Sequence, residues 1–184
     1  MSDFAVNTRR LRLRQWKDAD RAPFAALNAD PRVMEFFPSV RSRETSDTAV
    51  DGYMATIAAG GFSNWAVEVL ETGTFIGFVG LSVPQRALPC MPCVEIGWRL
   101  AAEQWGQGYA SEAARCALAL GFDHYGLEEI VSFTALVNRR SRAVMERIGM
   151  VNANEDFEHP ALPVGHHLRR HCLYRITPPG ANPA

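Results

Sequence analysis

The sequence predicts an α/β fold, because strand patterns and helix patterns alternate along most of the chain. Near the middle, residues 94–100 alternate apolar side chains with Glu95, Gly97 and Arg99, a period of two that is typical of a strand. From Ala110 onward, small and apolar residues recur at a spacing that places them on one face of a helix. A strand therefore leads through a glycine-containing turn directly into a helix.

The remaining elements follow from the same two periodicities. Residues 8–16 and 130–136 alternate as strands do, and residues 64–69 with 75–83 form the two arms of a hairpin. Gly77 and Gly80 in the second arm predict a bulge or the close approach of a neighbouring backbone. The predicted helices cover 21–29, 42–57, the central segment and 138–150, a short apolar turn covers 33–38, and the last strand covers 168–176.

Length and composition indicate one globular domain, predicted over residues 1–176, with a flexible C-terminal tail over 177–184. The chain has 184 residues, of which 47% are hydrophobic and 21% are charged. A formal net charge of −1 gives no electrostatic reason to expect nucleic acid or an anionic membrane as a partner. The sequence contains neither a secretion signal nor an apolar stretch long enough to span a bilayer, so we expect a cytoplasmic protein.

The turn before the central helix has the chemistry of a phosphate site. Gly106 and Gly108 can adopt positive φ and have no Cβ to keep a ligand away from the N–H groups of the helix start. A tight turn between a strand and a helix would need the same two glycines, so the pair alone does not distinguish ligand binding from local structure.

The segment EIGWRLAAEQWGQGYASEA closely resembles the coenzyme A signature of the GNAT acetyltransferases, especially the branch that acts on ribosomal-protein N-termini. Gly108 and Ala110 match the signature, whereas Trp105 stands where Gln or Arg is usual. The resemblance covers nearly the whole chain. It implies a GNAT-like mixed, mostly antiparallel sheet of six to seven strands flanked by helices. The central and following strands would separate, at a bulge, to admit the pantetheine arm of the cofactor.

The same resemblance implies that acetyl-CoA is the co-substrate and that no metal is required. The residues expected to bind the cofactor are Trp98, Leu100, Trp105, Gly106, Gln107, Gly108, Tyr109, Ala110 and Asn138. Asn138 begins a segment similar to a second GNAT signature, in which Ser141 follows. Capping of the helix at 138–150 is the alternative role for both residues.

Glu95 is the candidate general base, because it lies on the central strand, where the GNAT enzymes that this sequence resembles often have a general base. Its alternative role is an ion pair with Arg99 on the same face of the strand. Ser141 is the candidate general acid. Many GNAT enzymes use a tyrosine in this helix instead, but Met145 occupies the corresponding position.

Phe36 and Phe37 are the candidate acceptor-binding residues, because in the family that this sequence resembles the corresponding region borders the substrate. Packing in the core is their alternative role. A further hypothesis is that Glu35, Asp156 and Glu158 flank the entrance and attract a cationic amine; the alternative is that these carboxylates are only solvated. The four cysteines, with Cys90 and Cys93 in C-x-x-C spacing, and the histidines are expected to bind no metal.

The predicted function is transfer of an acetyl group from acetyl-CoA to a primary amine by direct attack in a ternary complex. The resemblance to the branch that acts on ribosomal-protein N-termini implies a protein or peptide N-terminal α-amine as the favoured acceptor. An α-amine, with a pKa of about 7.7–8.0, also requires less help from a base than lysine does. Two alternatives stay open: a small-molecule amine acetyltransferase, and a non-catalytic sensor that binds acyl-CoA. The sequence also leaves open whether the protein forms a homodimer.

Overall fold

The computed structural model describes residues 4–178 and residue 180. Four α-helices are present in this part of the chain, namely α1 (Arg21–Ala29), α2 (Arg43–Ala58), α3 (Tyr109–Ala119) and α4 (Arg139–Arg147). The strands are β1 (Ala5–Asn7), β2 (Leu11–Arg14), β3 (Asn64–Val69), β4 (Phe75–Ser82), β5 (Glu95–Leu100), β6 (Ile130–Ala135), β7 (Val151–Asn152), β8 (Phe157–Glu158) and β9 (Arg170–Ile176). The tail predicted at 177–184 lies mostly outside the described residues.

All these strands belong to one sheet, in the order β1-β2-β3-β4-β5-β6-β9-β7, with β8 also paired to β9. Every pairing is antiparallel except that of β5 with β6, so the predicted mixed, mostly antiparallel sheet is confirmed. The sheet has nine strands rather than six or seven. The three additional strands, β1, β7 and β8, have only two or three residues each, too few to show a period of two.

The parallel strands β5 and β6 separate almost as soon as they meet. Their ladder contains one residue pair, Glu95 with Val131, beside a 2.9 Å hydrogen bond from the Val131 N–H to the Val94 carbonyl. Farther along, the Ser132 hydroxyl donates to the Ile96 carbonyl at 3.0 Å, which satisfies a backbone acceptor that the ladder leaves unpaired. The predicted separation of these strands is therefore present.

The bulge expected at this separation lies elsewhere in the sheet. β5 pairs with β4 in unbroken register from Gly77 with Leu100 to Ser82 with Glu95, and the register shifts instead between β3 and β4, at Val67 and Glu68. The expectation of close backbone approach in β4 is confirmed, because a Cβ on Gly80 would lie 2.3 Å from the Ser63 carbonyl oxygen. β5 thus separates from β6 without a register shift in its pairing with β4.

The two faces of the sheet are covered by different helices. α3 packs on one face through Ala113, Ala114 and Ala117, which are fully buried and whose small side chains let the helix approach β4 and β5 closely. α1 and α2 cover the other face, where Phe24 meets Phe78 edge to face at 5.9 Å. Because side chains alternate along a strand, Glu95 and Arg99 project from the same face of β5 as Phe78 does from β4.

A buried ion-pair network fastens β2 to β3 and to the start of α1. Arg14 donates to Glu68 at 2.8 Å and to both carboxylate oxygens of Asp20, at 2.6 and 2.9 Å. Burial alone would lower the pKa of Arg14, but the hydrogen bonds and charges of Asp20 and Glu68 outweigh it and raise the pKa. The arginine therefore remains charged and bridges two buried carboxylates, and Lys17 at 3.2 Å from Glu68 supplies the second positive charge.

Replacing this arginine tests how strongly the network stabilises the fold. Arg14→Met would leave Asp20 buried without a side-chain cation and Glu68 with only the more exposed Lys17 and Arg12, so we expect the free energy of unfolding to fall by about 3–5 kcal/mol in urea titrations. Arg12→Met is the matched control, because Arg12 lies on the same strand, is half exposed and contacts Glu68 only at 3.6 Å. That control should cost less than about 1 kcal/mol. Equal losses in the two variants would contradict the role given to Arg14.

No helix within the described residues is both long enough and apolar enough to cross a membrane.

Candidate active site

A cleft of about 2390 Å³ opens where β5 and β6 separate. Its lining includes every residue of β5, residues 132–134 of β6, the loop before α3 and the start of α4. Side chains from α2 and from the turn after α1 line it as well. The volume exceeds that of a typical drug-sized site, about 300–1,000 Å³, so the cleft has room for a long cofactor and a second substrate.

The loop before α3 presents an open backbone to this cleft. Gly106 and Gly108 have φ angles of 77° and 79°, the left-handed conformation that favours glycine, and Gly108 is the N-cap of α3. No side chain caps the helix, and the first intrahelical bond runs from the Glu112 N–H to the Gly108 carbonyl. A Cβ added to Gly106 would meet nothing within 4 Å. Free helix N–H groups with open space above them suit a pyrophosphate.

Arg10 holds this loop in place from the turn between β1 and β2. Its guanidinium pairs with Glu112 at 2.7 Å, donates to the Gln107 carbonyl at 3.0 Å and lies 4.6 Å from the centre of the Tyr109 ring. Burial would raise the pKa of Glu112, but hydrogen bonds from Thr8 and Arg10 lower it on balance. Glu112 therefore stays ionised and fixes the first turn of α3.

Trp105 contributes to the shape of the loop. Its indole N–H donates to the Leu100 carbonyl at 2.9 Å, and the Arg140 guanidinium lies 4.5 Å from the centre of its ring. Leu100 is buried, and half-buried Trp98 packs against the core on the α3 face of β5. These contacts give Trp105 a structural role in fixing the turn, which explains why a tryptophan can stand at this position of the signature.

Glu95 lies on the cleft wall at the point where β5 and β6 separate. Its carboxylate accepts a 3.0 Å hydrogen bond from the Ser82 hydroxyl, directly across the β4–β5 ladder. Burial raises the pKa of Glu95, and the bond from Ser82 only partly opposes this effect. The alternative ion pair with Arg99 is wrong, because Arg99 instead donates to Asn28 at 2.5 Å.

Asn138 and Ser141 form the cap of α4 at the opposite wall. The Asn138 carbonyl oxygen accepts from the Ser141 N–H at 3.2 Å, and its amide donates to the hydroxyls of Thr134 and Ser141 at 2.9 and 3.1 Å. The capping role is therefore present in the structure. Both residues also line the cleft, and the Ser141 hydroxyl keeps its own hydrogen available to a ligand. Met145 is buried in the core.

Phe36 and Phe37 are half-buried and line the cleft, so neither is wholly a core residue. Phe36 packs against the small cluster of Ala135, Leu162 and Leu168, whereas Phe37 stacks 4.3 Å from the Arg99 guanidinium.

The carboxylates expected to attract a cationic acceptor are not free to do so. Glu35 pairs with Arg140, Asp156 with Arg170 and Glu158 with Arg169. That expectation was wrong because each acid has an arginine from a different segment beside it, and sequence spacing does not reveal such long-range pairs.

A family model for the GNAT acetyltransferase domain matches residues 10–151. This chain belongs to the GNAT acetyltransferase family. It is an acetyl-CoA-dependent acetyltransferase, and the matched residues include the glycine loop at the start of α3.

Two relatives show how far the family resemblance extends along the chain. It is 35% identical over 144 residues to an uncharacterised Bacillus subtilis protein, YkkB, a match that spans 78% of this chain and 83% of YkkB. It is 32% identical over 143 residues to FsC-acetyl coenzyme A-N(2)-transacetylase of Aspergillus fumigatus. That match spans 71% of this chain but only 58% of the fungal protein.

Solved structures of the family share the whole fold. A GNAT acetyltransferase from Bacillus anthracis superposes with a TM-score of 0.78 at 26% identity, over 95% of this chain and 98% of that one. The ribosomal-protein-S5-alanine acetyltransferase of Vibrio fischeri gives a TM-score of 0.76 at 16% identity, over 98% of this chain and 100% of that one. At that identity the second comparison shows the fold alone.

Three cleft residues of this GNAT chain are not marked as such by the sequence pattern. Arg10 falls in a predicted strand, Ser82 falls in a predicted hairpin, and Arg99 is predicted only as a partner for Glu95. The β4–β5 register would have placed Ser82 opposite Glu95, so correct strand pairing was the missing signal. The sequence around Arg10 does not distinguish it from Arg12 or Arg14, which lie in the same alternating segment.

The cysteines and histidines have contacts that suit packing. Cys90 and Cys93 are free thiols with their sulfurs 3.5 Å apart, and burial raises the pKa of Cys93 to about 12. His159 and His171 pack on each other at 4.7 Å, and burial lowers the pKa of both. Across residues 4–178 and 180, no group of three or more His, Cys, Asp or Glu side chains could hold a metal ion.

Proposed function

We propose that this enzyme transfers the acetyl group of acetyl-CoA to an α-amine, with a protein or peptide N-terminus as the favoured acceptor and Glu95 as the general base. The observation that supports the assignment most directly is the position of the Glu95 carboxylate. It lies on the wall of the cleft at the one point where β5 and β6 still pair, and burial raises its pKa toward the range useful for a base.

In the proposed reaction, the amine nitrogen attacks the thioester carbonyl carbon, the carbon–sulfur bond breaks, and the amine proton passes to Glu95. The backbone N–H groups at Gly106–Ala110 would hold the pyrophosphate, and Asn138 with Ser141 would lie beside the pantetheine arm. The leaving thiol has a pKa of about 8.5 by analogy with cysteine, so departure needs little acid assistance. The Ser141 hydroxyl of the cleft lining would donate a hydrogen bond to the departing thiolate sulfur, which then takes its proton from solvent.

The function is tested by incubating the protein with acetyl-CoA and panels of peptides and small amines. Release of free CoA is followed with a thiol reagent, and the acetylated product is located by mass spectrometry. Acetylation of an α-amine supports the proposal. Binding of acetyl-CoA without thiol release for any amine would indicate the non-catalytic sensor instead.

The hydrogen bond from Ser82 gives a prediction about pH. Ser82→Ala removes an interaction that lowers the pKa of Glu95, so the pKa should rise further and the base should be protonated up to a higher pH. The acidic limb of the kcat/KM profile should therefore move to higher pH. The control is the same substitution in a Glu95→Gln background, where no shift is expected. A shift that persists in that background would assign the limb to another group.

A further inference from the structure

The face of β5 that carries Glu95 also carries a buried cation. Arg99 is 7% exposed, and its position four residues from Glu95 places the two Cα atoms about 13 Å apart along the strand. Between them, Gly97 lies on the same face, and a Cβ added there would meet nothing within 4 Å. All three residues line the cleft, so the strand presents a carboxylate, an open floor and a guanidinium in succession.

The Arg99 guanidinium has no carboxylate partner within the described residues. It stacks on Phe37 at 4.3 Å and on Phe78 at 5.4 Å, and one terminal nitrogen donates to Asn28. Its Nε is buried without any hydrogen-bond partner. A buried cation is costly unless it is paired, and buried charges in folded proteins are usually neutralised.

The surroundings of Arg99 increase this cost. Burial, together with the positive charge of half-buried Arg41, lowers the pKa of Arg99 to about 10. The guanidinium is therefore still charged at neutral pH. Arg41 also lines the cleft, and its backbone N–H is bonded to the Asn28 carbonyl at 2.9 Å, so both cations are tied to the same end of α1. A bound anion would neutralise a charge that the protein leaves unpaired.

The position of Arg99 is fixed by a chain of buried polar groups. Asn28 is fully buried and donates to the Ser46 hydroxyl at 3.0 Å, and Ser46 donates to the Ser42 carbonyl at 2.9 Å. This chain joins α1 to the start of α2 and holds one side of the guanidinium. A planar guanidinium fixed in this way can bind a carboxylate with two parallel N–H donors.

We propose that the amine acceptor also carries a carboxylate, which binds Arg99 beside Arg41 while the amine lies over Gly97 toward Glu95. This inference rests on the proposed function and narrows its substrate class to amino carboxylates. The carboxylate belongs either to a free amino acid or to an acidic side chain near a peptide N-terminus. Both sources present the same chemistry to Arg99. The positive charges of Arg99 and Arg41 predict discrimination against polyamines, which would bring further positive charge to this cleft.

The experiment compares acceptors that differ only in the carboxylate. One series pairs α- and ω-amino acids, from glycine to 6-aminohexanoate, with their primary amides. The other pairs peptides that have Glu or Gln at the second position. We expect kcat/KM to favour the acid by about 10- to 100-fold in one of the two series, which identifies the source. Equal rates for acids and amides in both series would overturn the proposal and leave the proposed function intact.

Variants then assign the preference to Arg99. Arg99→Gln should remove the preference for the acid and leave acetyl-CoA affinity unchanged. Arg43→Gln is the matched control, because Arg43 is an exposed arginine of α2 paired with Asp47 outside the cleft lining. An undiminished preference in folded Arg99→Gln would overturn the proposal. If that variant does not fold, Arg41→Gln, at a half-buried position, should weaken the preference in its place.

Binding measurements distinguish the carboxylate site at Arg99 from the proposed acetyl transfer even if no turnover is observed. Calorimetry with the same amino acids and amides, in the presence of CoA, measures carboxylate recognition without any reaction. The carboxylate site is supported if the parent protein binds the acids more tightly than the amides and Arg99→Gln does not. This support holds even if no amine is acetylated, because the absence of acetylation would contradict only the proposed function. Equal binding of acids and amides would overturn the site.

Discussion

Glu95→Gln is expected to lower kcat/KM by about 10²- to 10⁴-fold near neutral pH, because glutamine cannot accept the proton of the attacking amine. The loss should shrink as the pH rises through the pKa of the α-amine, about 8, because half of the acceptor is deprotonated at that pH and most of it above that pH. The affinity for acetyl-CoA, measured by calorimetry, should not change. Pre-steady-state assays across pH 6–9 check this expectation.

Glutamine is the appropriate replacement because it retains the shape of the side chain and can still accept a hydrogen bond from Ser82. Thermal unfolding of the variant provides the structural control. A loss of activity that stays constant across the pH range would show that Glu95 supports the cleft rather than removing a proton.

Gly108→Val is expected to weaken acetyl-CoA binding by about 100-fold. The substitution places a branched side chain at a φ of 79° and covers the N–H groups at the start of α3. Charge-assisted hydrogen bonds contribute about 1.5–3 kcal/mol each, so loss of one or two such bonds accounts for the expected change. Equilibrium titration with acetyl-CoA measures it directly.

Backbone strain alone could also change affinity, and Gly126→Val controls for it. Gly126 has a φ of 65°, has open space around its Cβ position and lies outside the cleft lining. Both variants should lose similar stability, about 1–3 kcal/mol, but only Gly108→Val should lose acetyl-CoA affinity. If the two folded variants bind acetyl-CoA with equal affinity, the glycine loop does not bind the cofactor.

Elements with several turns or alternations could be predicted from the sequence, because periodicity reports which face is buried. The predicted helix at 21–29 coincides with α1, and the predicted 42–57 differs from α2 by one residue at each end. β7 and β8 could not be predicted, because they have two residues each and are defined only by their pairing with β9. The cofactor loop was predictable because its glycines and the following helix are adjacent in sequence.

The acceptor side was less predictable, because its properties arise from contacts between distant segments. Phe37 becomes a cleft residue by stacking on Arg99, and Glu35 is neutralised by Arg140 from α4. The burial of Arg99 depends on Asn28, which lies 71 positions earlier. A charged residue in an alternating strand gives no sign of whether its environment will supply a counter-charge.

The contacts of Arg10 and Thr8 with Glu112 connect parts of the chain more than 100 positions apart, since the separations are 102 and 104 residues. The first turn of α3 therefore cannot unfold locally without releasing the β1–β2 turn as well. Amide hydrogen exchange in the two segments should follow a common opening event, and acetyl-CoA should slow exchange in both. During folding, the cofactor site would be completed only after this long-range contact forms, so binding of acetyl-CoA reports the docking of the N-terminal strands.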